Sequence, residues 1–263
     1  MIFLTGDVHQ LDSRMNDQKR AGEITEVSIS QSYLEIANSY GIAPTLFFTG
    51  LAVVREWEPI REMMRQRQFE IGGHTYSANR ARWLMAGSRR VLDLANGPRW
   101  YQKKDMAATL SVIRRHLGFS VVCWRNHAYR MDRNTYSIAS ELGVTHVSNV
   151  VAGLEAGVRA VGAMVEVPIN TLPDHETLGH DSHPRRCRDA RDWAEKVLEQ
   201  VEFQQSHGIS SVVLAHPLCM FIEDRFAAFE YLCRSLSRWP AGTLCQAVVS
   251  PASPPPELCA NRH

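Results

Sequence analysis

Seven short apolar runs, most of them separated by a helical segment that stops at a glycine, constrain this chain more than any other feature. The runs are Ile2 to Thr5, Thr45 to Thr49, Phe69 to Ile71, Val121 to Trp124, Thr145 to Val151, Met164 to Val167 and Ser211 to Leu214. They are rich in β-branched and aromatic residues, as buried strands are. Between them, Ile29 to Tyr40, Trp57 to Gln68, Lys103 to Leu117, Asn134 to Leu142 and Asp189 to His207 carry apolar residues at helical spacing. Gly41, Gly118, Gly143 and Gly208 each follow such a segment and precede a strand, where a helix needs a residue that turns easily into the left-handed region. Strand and helix alternate, so the expectation is a parallel α/β fold. About seven strands on one chain favour a closed or nearly closed barrel, although the count alone does not exclude an open sheet.

With 263 residues and 44% apolar side chains, the chain buries a full core without disulfides or a structural metal. One domain over residues 1–249 is expected, followed by a Pro-rich, disordered tail over 250–263 that cannot form helix or central strand. Twenty-nine basic residues balance 28 acidic ones for a net charge of +1, which argues against nucleic acid as a partner. No apolar run of about 18 residues is present to span a bilayer, so no membrane partner is expected. The chain reaches Asp7 before an export segment could form, which points to the cytoplasm and a small substrate rather than a polymer. Cys123, Cys187, Cys219, Cys233, Cys245 and Cys259 include no C-x-x-C pair, so they read as free thiols in a reducing compartment. Oligomeric state is left open.

Chemistry in parallel α/β folds collects just past the carboxyl ends of the strands. Those positions hold Asp7 and His9 after the first run, His74 to Ser77 after the third, Arg125 to Tyr129 after the fourth, and His216 after the last. A carboxylate, several imidazoles and a guanidinium make a kit for water attack on a polarised carbonyl. Imidazoles hold a divalent ion, a carboxylate takes the proton, and a second acid protonates the leaving group.

These motifs also carry a family resemblance. Gly41 to Gly50 resembles the "GIKATFFVTG" strand of the polysaccharide deacetylases (NodB homology, carbohydrate esterase family 4), and Phe69 to Ser77 resembles their "HEIGNHTYSH" segment. Trp124 to Arg130 is similar to their "RAPGYR" motif, and Val212 to Pro217 to their closing "LLHP" strand. The motifs follow in order over roughly residues 1–240. The resemblance implies a distorted (β/α)7-type barrel and hydrolysis of an N-acetyl group from an amino sugar with a bound divalent metal, typically zinc. By the same resemblance Asp7 is the general base, Arg125 the arginine that orients it, His216 the general acid and His74 a metal ligand. Two departures stand out. Ala78 occupies the place of the second metal histidine, and Val8 follows Asp7 where a second aspartate is common. His9 and Asn79 are therefore the candidates to complete the ligand set with His74, while His127 is either a replacement ligand or a substrate contact. Tyr76 and Tyr129 are further candidates to meet substrate.

Three readings follow: a metal-dependent N-deacetylase for an N-acylated amino sugar or related small metabolite; a metal-independent, allantoinase-like hydrolase of cyclic amides using Asp7 and His216; and a catalytically inactive, carbohydrate-binding descendant. Pro168 to Glu176 resembles a "P-x-x-x-P-D-D" loop of some relatives, and it continues through Gly179 to His183; a loop of this length suits a pocket wall or a polar surface. Trp83, Trp100 and Tyr101 are positioned either to stack on a sugar or to pack an insertion. Arg185 to Arg191 reads as a solvated helix start.

Overall fold

The computed structural model describes residues 1–12, 16–78, 87–88, 90, 94–180 and 183–249. Asn79, Trp83, Cys259 and the Pro-rich tail lie outside these residues. Among the described residues, nine strands form one sheet: β1 (Ile2–Val8), β2 (Thr45–Phe48), β3 (Glu70–Gly73), β4 (Cys123–Trp124), β5 (His146–Val147), β6 (Arg159–Val161), β7 (Met164–Glu166), β8 (Ser211–Leu214) and β9 (Ala241–Gly242). The helices are α1 (Asn16–Ala21), α2 (Glu26–Ser39), α3 (Gly50–Gln66), α4 (Arg99–Leu117), α5 (Thr135–Glu141), α6 (Asp174–Thr177), α7 (Ala190–Ser206), α8 (Pro217–Asp224) and α9 (Ala227–Leu236).

The sheet runs β6-β7-β5-β4-β3-β2-β1-β8, with short β9 beside β1. All pairings are parallel except the β6–β7 hairpin. All seven apolar runs coincide with strands, and the sheet is the expected parallel (β/α) barrel, curled rather than fully closed. Among the described residues no backbone ladder joins β8 to β7. Side chains span that seam instead. The Asn170 amide donates to Ser210 O at 2.9 Å and accepts from Val212 N at 2.8 Å. Thr171 Oγ1 donates to Val212 O at 3.0 Å.

Alternation along β1 explains how a polar site can sit inside an apolar barrel, because successive strand residues face opposite sides. Ile2, Leu4 and Val8 belong to the large core between sheet and helices, with Tyr33 of α2, Trp193 of α7 and Phe229 of α9. Phe3 faces the other way, into a smaller interior cluster with Phe47, Val167, Val212 and Leu214. Thr5 and Asp7 share the face of Phe3, so they continue the interior column toward the carboxyl end of the strand. Gly72 and Gly73 on β3 leave room for that packing. A Cβ at Gly72 would lie 2.3 Å from the Phe47 ring, and one at Gly73 2.6 Å from the Trp124 ring.

Gly41, Gly118, Gly143 and Gly208 all have positive φ, from 70° to 88°, as the helix stops require. Helix starts are less legible. α3 begins at Gly50, straight after β2 and capped by Thr49, seven residues before its expected start. A non-helical Glu56 and Pro59 break the apolar spacing of its first turns. The expected strand from Thr145 to Val151 shortens to two residues, since beyond Val147 the chain turns to bridge Ile169 through Val151. No helix among the described residues is long and apolar enough to cross a membrane.

Candidate active site

The candidate side chains named from sequence cluster at the carboxyl ends of strands. Asp7 lies in the last turn of the β1 pleat and His9 follows it; His74 follows β3, Arg125 and His127 follow β4, and His216 follows β8 and starts α8. Asp7, His74 and Arg125 are 3%, 0% and 0% exposed, so their polar atoms depend on partners inside the protein.

Arg125 organises the centre. Its Nη1 donates to Asp7 Oδ1 at 3.0 Å, its Nη2 to Thr5 Oγ1 at 3.0 Å and Ser148 Oγ at 2.9 Å, and its Nε to Ser148 O at 3.1 Å. The guanidinium also lies 4.4 Å from the centre of the Phe47 ring. Burial would push the Asp7 carboxyl up, but Arg125 and the neighbouring imidazoles hold it well below the usual carboxylate range. Asp7 is therefore a buried carboxylate kept ionised by a fixed cation.

The Arg125 carbonyl accepts from His74 Nδ1 at 2.7 Å. That bond places the proton on Nδ1 and leaves the Nε2 lone pair of His74 free. Nε2 is buried, has no hydrogen-bond partner, and stands 3.9 Å from Asp7 Oδ2. Burial keeps His74 neutral, with its pKa lowered to about 3. His9 is oriented in the same manner: its Nδ1 lies 3.0 Å from Glu26 Oε2, which also accepts from the His9 backbone N–H at 2.7 Å. Its Nε2 faces His127 Nδ1 at 3.3 Å. Burial lowers the affinity of His9 for a proton, but the Glu26 carboxylate more than offsets this. His127 goes the other way, held well below its usual value by burial and by His9 and His74.

His9, His74 and His127 each offer a nitrogen, and these three atoms lie within 4.8 Å of one another. Three imidazoles, one with an orphaned buried nitrogen and another braced by a carboxylate, are a donor set suited to zinc or a similar divalent ion. Of the three ligand candidates named from sequence, His9 and His74 meet here, Asn79 lies outside the described residues, and His127 stands in the third position. Ala128 and Tyr129 next to His127 have left-handed φ of 57° and 51°, a strained turn that sets the ring's approach.

His216 also faces Asp7, its Nε2 3.5 Å from Asp7 Oδ2. Its Nδ1 lies 2.7 Å from Asp174 Oδ1, and its backbone N–H donates to Asp174 Oδ2 at 2.6 Å. Burial pulls the imidazole down, but Asp174 and Asp7 together raise it well above its usual value. Asp174 itself is pushed up by burial and held down, on balance, by His216 and His175. Glu26, Ser148 and Asp174 were not assigned roles from sequence. Asp174 had a signal, because it sits in the loop singled out by its resemblance to relatives; Glu26 and Ser148 had none.

Tyr129 reaches His175, Oη to Nδ1 3.4 Å, and the His175 ring stands 4.8 Å from that of His216. This places Tyr129 on the acid side of the site. Tyr76 donates its backbone N–H to Asp105 and sets its ring against Gly50, where a Cβ would come within 2.4 Å. Those contacts are with α3 and α4 rather than with the imidazole cluster. Trp100 is 63% exposed on the first turn of α4, with Tyr101 edge-on beside it. Arg185 pairs with Glu223 and Arg191 with Glu195, so the arginine-rich stretch is engaged with protein carboxylates.

Residues 21–147 match the sequence profile of the polysaccharide deacetylase family. Over that stretch, just under half of its length, the chain is similar to the polysaccharide deacetylases. Solved structures agree at the level of fold. A protein from Mycobacterium smegmatis named as a polysaccharide deacetylase superposes with a TM-score of 0.69 at 17% identity, over 92% of this chain and 85% of its own. The allantoinase PuuE gives 0.65 at 12% identity, over 92% and 86%. A carbohydrate esterase family 4 pseudoenzyme from Bacillus anthracis gives 0.52 at 14% identity, over 94% and 64%. A search of curated protein sequences finds no match. Within this fold, His9, His74 and His127 cluster together, and His74 and His216 both lie next to the buried Asp7 carboxylate.

Proposed function

We propose that this chain is a metal-dependent hydrolase of carbon–nitrogen bonds, an N-deacetylase for an N-acylated amino sugar or a related small metabolite. The observation that carries the reading is the convergence of His9, His74 and His127 beside an ionised Asp7, with a protonated His216 also facing it. His9, His74 and His127 would hold the metal; when bound, it supplies Lewis-acid polarisation of the acyl carbonyl and of the attacking water. Asp7 takes the proton from that water as its oxygen attacks the carbonyl carbon. Arg125 keeps Asp7 ionised and aimed, and through its carbonyl keeps the His74 proton away from the metal side. As the C–N bond breaks, His216 delivers its Nε2 proton to the departing nitrogen, and Asp174 fixes the ring for that transfer. Tyr129 and His175 border the leaving-group side and are placed to meet substrate. A small soluble substrate in the cytoplasm is part of the same proposal.

The test is elemental analysis of protein purified without chelator, on wild type and His74→Ala, together with acetate release from a panel of N-acetylated amino sugars. Zinc or another divalent ion that is lost with His74, and acetate release lost with it, support the reading. A wild type that takes up no metal at the histidines after zinc incubation overturns it. The Asp7–His216 pair would then point to cyclic amides, and inactivity on both substrate classes to a binding protein.

A further inference from the structure

The opposite, amino-terminal end of the barrel holds a second set of metal-binding groups. Glu70 is the first residue of β3 and Cys123 the first of β4. Cys245 arrives from the far end of the chain on the single turn Leu244–Gln246, which follows β9. This turn is docked onto the barrel floor. Leu244 N donates to Thr45 Oγ1 at 2.8 Å, Thr45 Oγ1 to Glu70 Oε2 at 2.7 Å, and Cys245 N to Glu70 Oε2 at 3.3 Å. One carboxylate oxygen and two thiol sulfurs end within 4.8 Å of one another. Cys123 and Cys245 are free thiols, and Cys123 Sγ makes a weak hydrogen bond to Ile71 O at 3.8 Å. His146 pairs in register with Cys123 across the β4–β5 ladder and holds the Ala247 carbonyl through Nε2 at 3.2 Å, bracing the same turn.

We propose that Glu70, Cys123 and Cys245 form a zinc site at the amino-terminal end of the barrel, independent of the histidine cluster. Two thiolates with a carboxylate are a zinc donor set. Bonds of roughly 2.0–2.3 Å put tetrahedral donors about 3.3–3.8 Å apart, so closure from the observed spacing requires side-chain movements on the order of 1 Å. The fourth position opens onto a hollow of about 380 Å³ whose apolar walls include Met64, Phe69 and Phe119, leaving it to water. The site would tie the carboxyl-terminal turn to β3 and β4, a clip between segments far apart in sequence. Binding deprotonates both thiols, and the released protons go to solvent.

Cobalt(II) is the probe, because thiolate-to-cobalt charge transfer gives a near-ultraviolet band that histidine and carboxylate ligands do not. His74→Ala removes the histidine site and is expected to keep one cobalt per chain with the thiolate band. Cys245→Ser, at a half-buried position, is expected to lose the band and to lose the rise in thermal midpoint that zinc gives to His74→Ala. Glu70→Gln provides a check that leaves both thiols in place: cobalt affinity should fall by about tenfold or more. Absence of a thiolate band in both wild type and His74→Ala overturns the proposal, as does a Cys123–Cys245 disulfide in protein prepared under reducing conditions. Neither result bears on the catalytic reading, which fails only if the histidine-dependent equivalent is missing.

Discussion

Replacing Arg125 with methionine keeps an unbranched chain of similar length against Phe47 but removes the cation that compensates Asp7. Four hydrogen bonds of 2.9–3.1 Å disappear with it, to Asp7, Thr5 and Ser148, all in a region without solvent access. Breaking a buried pair from one side costs about 3–5 kcal/mol, because the remaining charge stays buried without a partner. The protonated His216 at 3.5 Å still faces Asp7 and keeps the expected loss near the lower end of that range. In a domain of this size about 3 kcal/mol corresponds to roughly 6–12 °C in the thermal midpoint. The double variant Asp7→Asn/Arg125→Met removes the charge as well as its partner, leaving only neutral groups unsatisfied at about 1–3 kcal/mol. Urea unfolding followed by tryptophan fluorescence at neutral pH measures these two and the single variant Asp7→Asn, and the expected coupling between the sites is about 2 kcal/mol. The folded-state pKa of Asp7 lies below its ordinary 3.8, so the stability it contributes is present above 3.8 and is lost as pH falls through the lowered value. Without Arg125 the carboxyl titrates higher, and the deficit of the single variant should shrink on acidification. A single variant less than 1 kcal/mol below wild type, or single-variant losses that simply add in the double variant, would refute the account of Arg125 as the counter-charge of Asp7.

Other expectations are simpler to state. Asp174→Asn removes the carboxylate that raises His216, so the alkaline limb of the kcat profile should move to lower pH and kcat should fall about 10–100-fold. The stability supplied by the raised His216 pKa is complete below 6.5 and lost as pH rises through the raised value, so the gap to wild type should narrow at alkaline pH. His127→Ala should weaken metal binding about as strongly as His9→Ala, whereas Asn79→Ala should leave it unchanged; equilibrium dialysis against zinc separates the two. Gly72→Ala drives a methyl into the Phe47 ring, and thermal denaturation should show a loss of about 1–3 kcal/mol.

Legibility from sequence follows the physics of each element. The seven strands are readable because strands covered on both faces are continuous apolar runs, and the four helix stops because left-handed residues select glycine. α8 and α9 are not, since α8 is apolar over most of its length and α9 starts directly behind it at two left-handed residues, Arg225 and Phe226. Within the site, residues on a strand end are legible by position: Asp7, His9, His74, Arg125, His127 and His216 all announce themselves there. Partners that act through tertiary contact are not. Glu26 reads as an ordinary first-turn carboxylate, Ser148 as a loop serine, and Asp174 acquires its role only when the chain brings it to His216, 42 residues away. Asn79, a third-ligand candidate from local spacing, lies outside the described residues, and the nearness of His127 to His9 and His74 depends on the folding of distant segments. The same limit hid the cysteines, whose separation in sequence gives no hint of a shared corner.

The seam between β8 and β7, spanned by Asn170 and Thr171, has a mechanical consequence. From β7 through β1 to β8 neighbouring strands are joined by main-chain hydrogen bonds, but here the wall depends on a few side-chain contacts. It is the line along which the barrel should first breathe. In hydrogen–deuterium exchange, the amide of Val212 should trade its proton well before that of Leu46 on the continuous β1–β2–β3 wall, and Asn170→Ala should widen that difference.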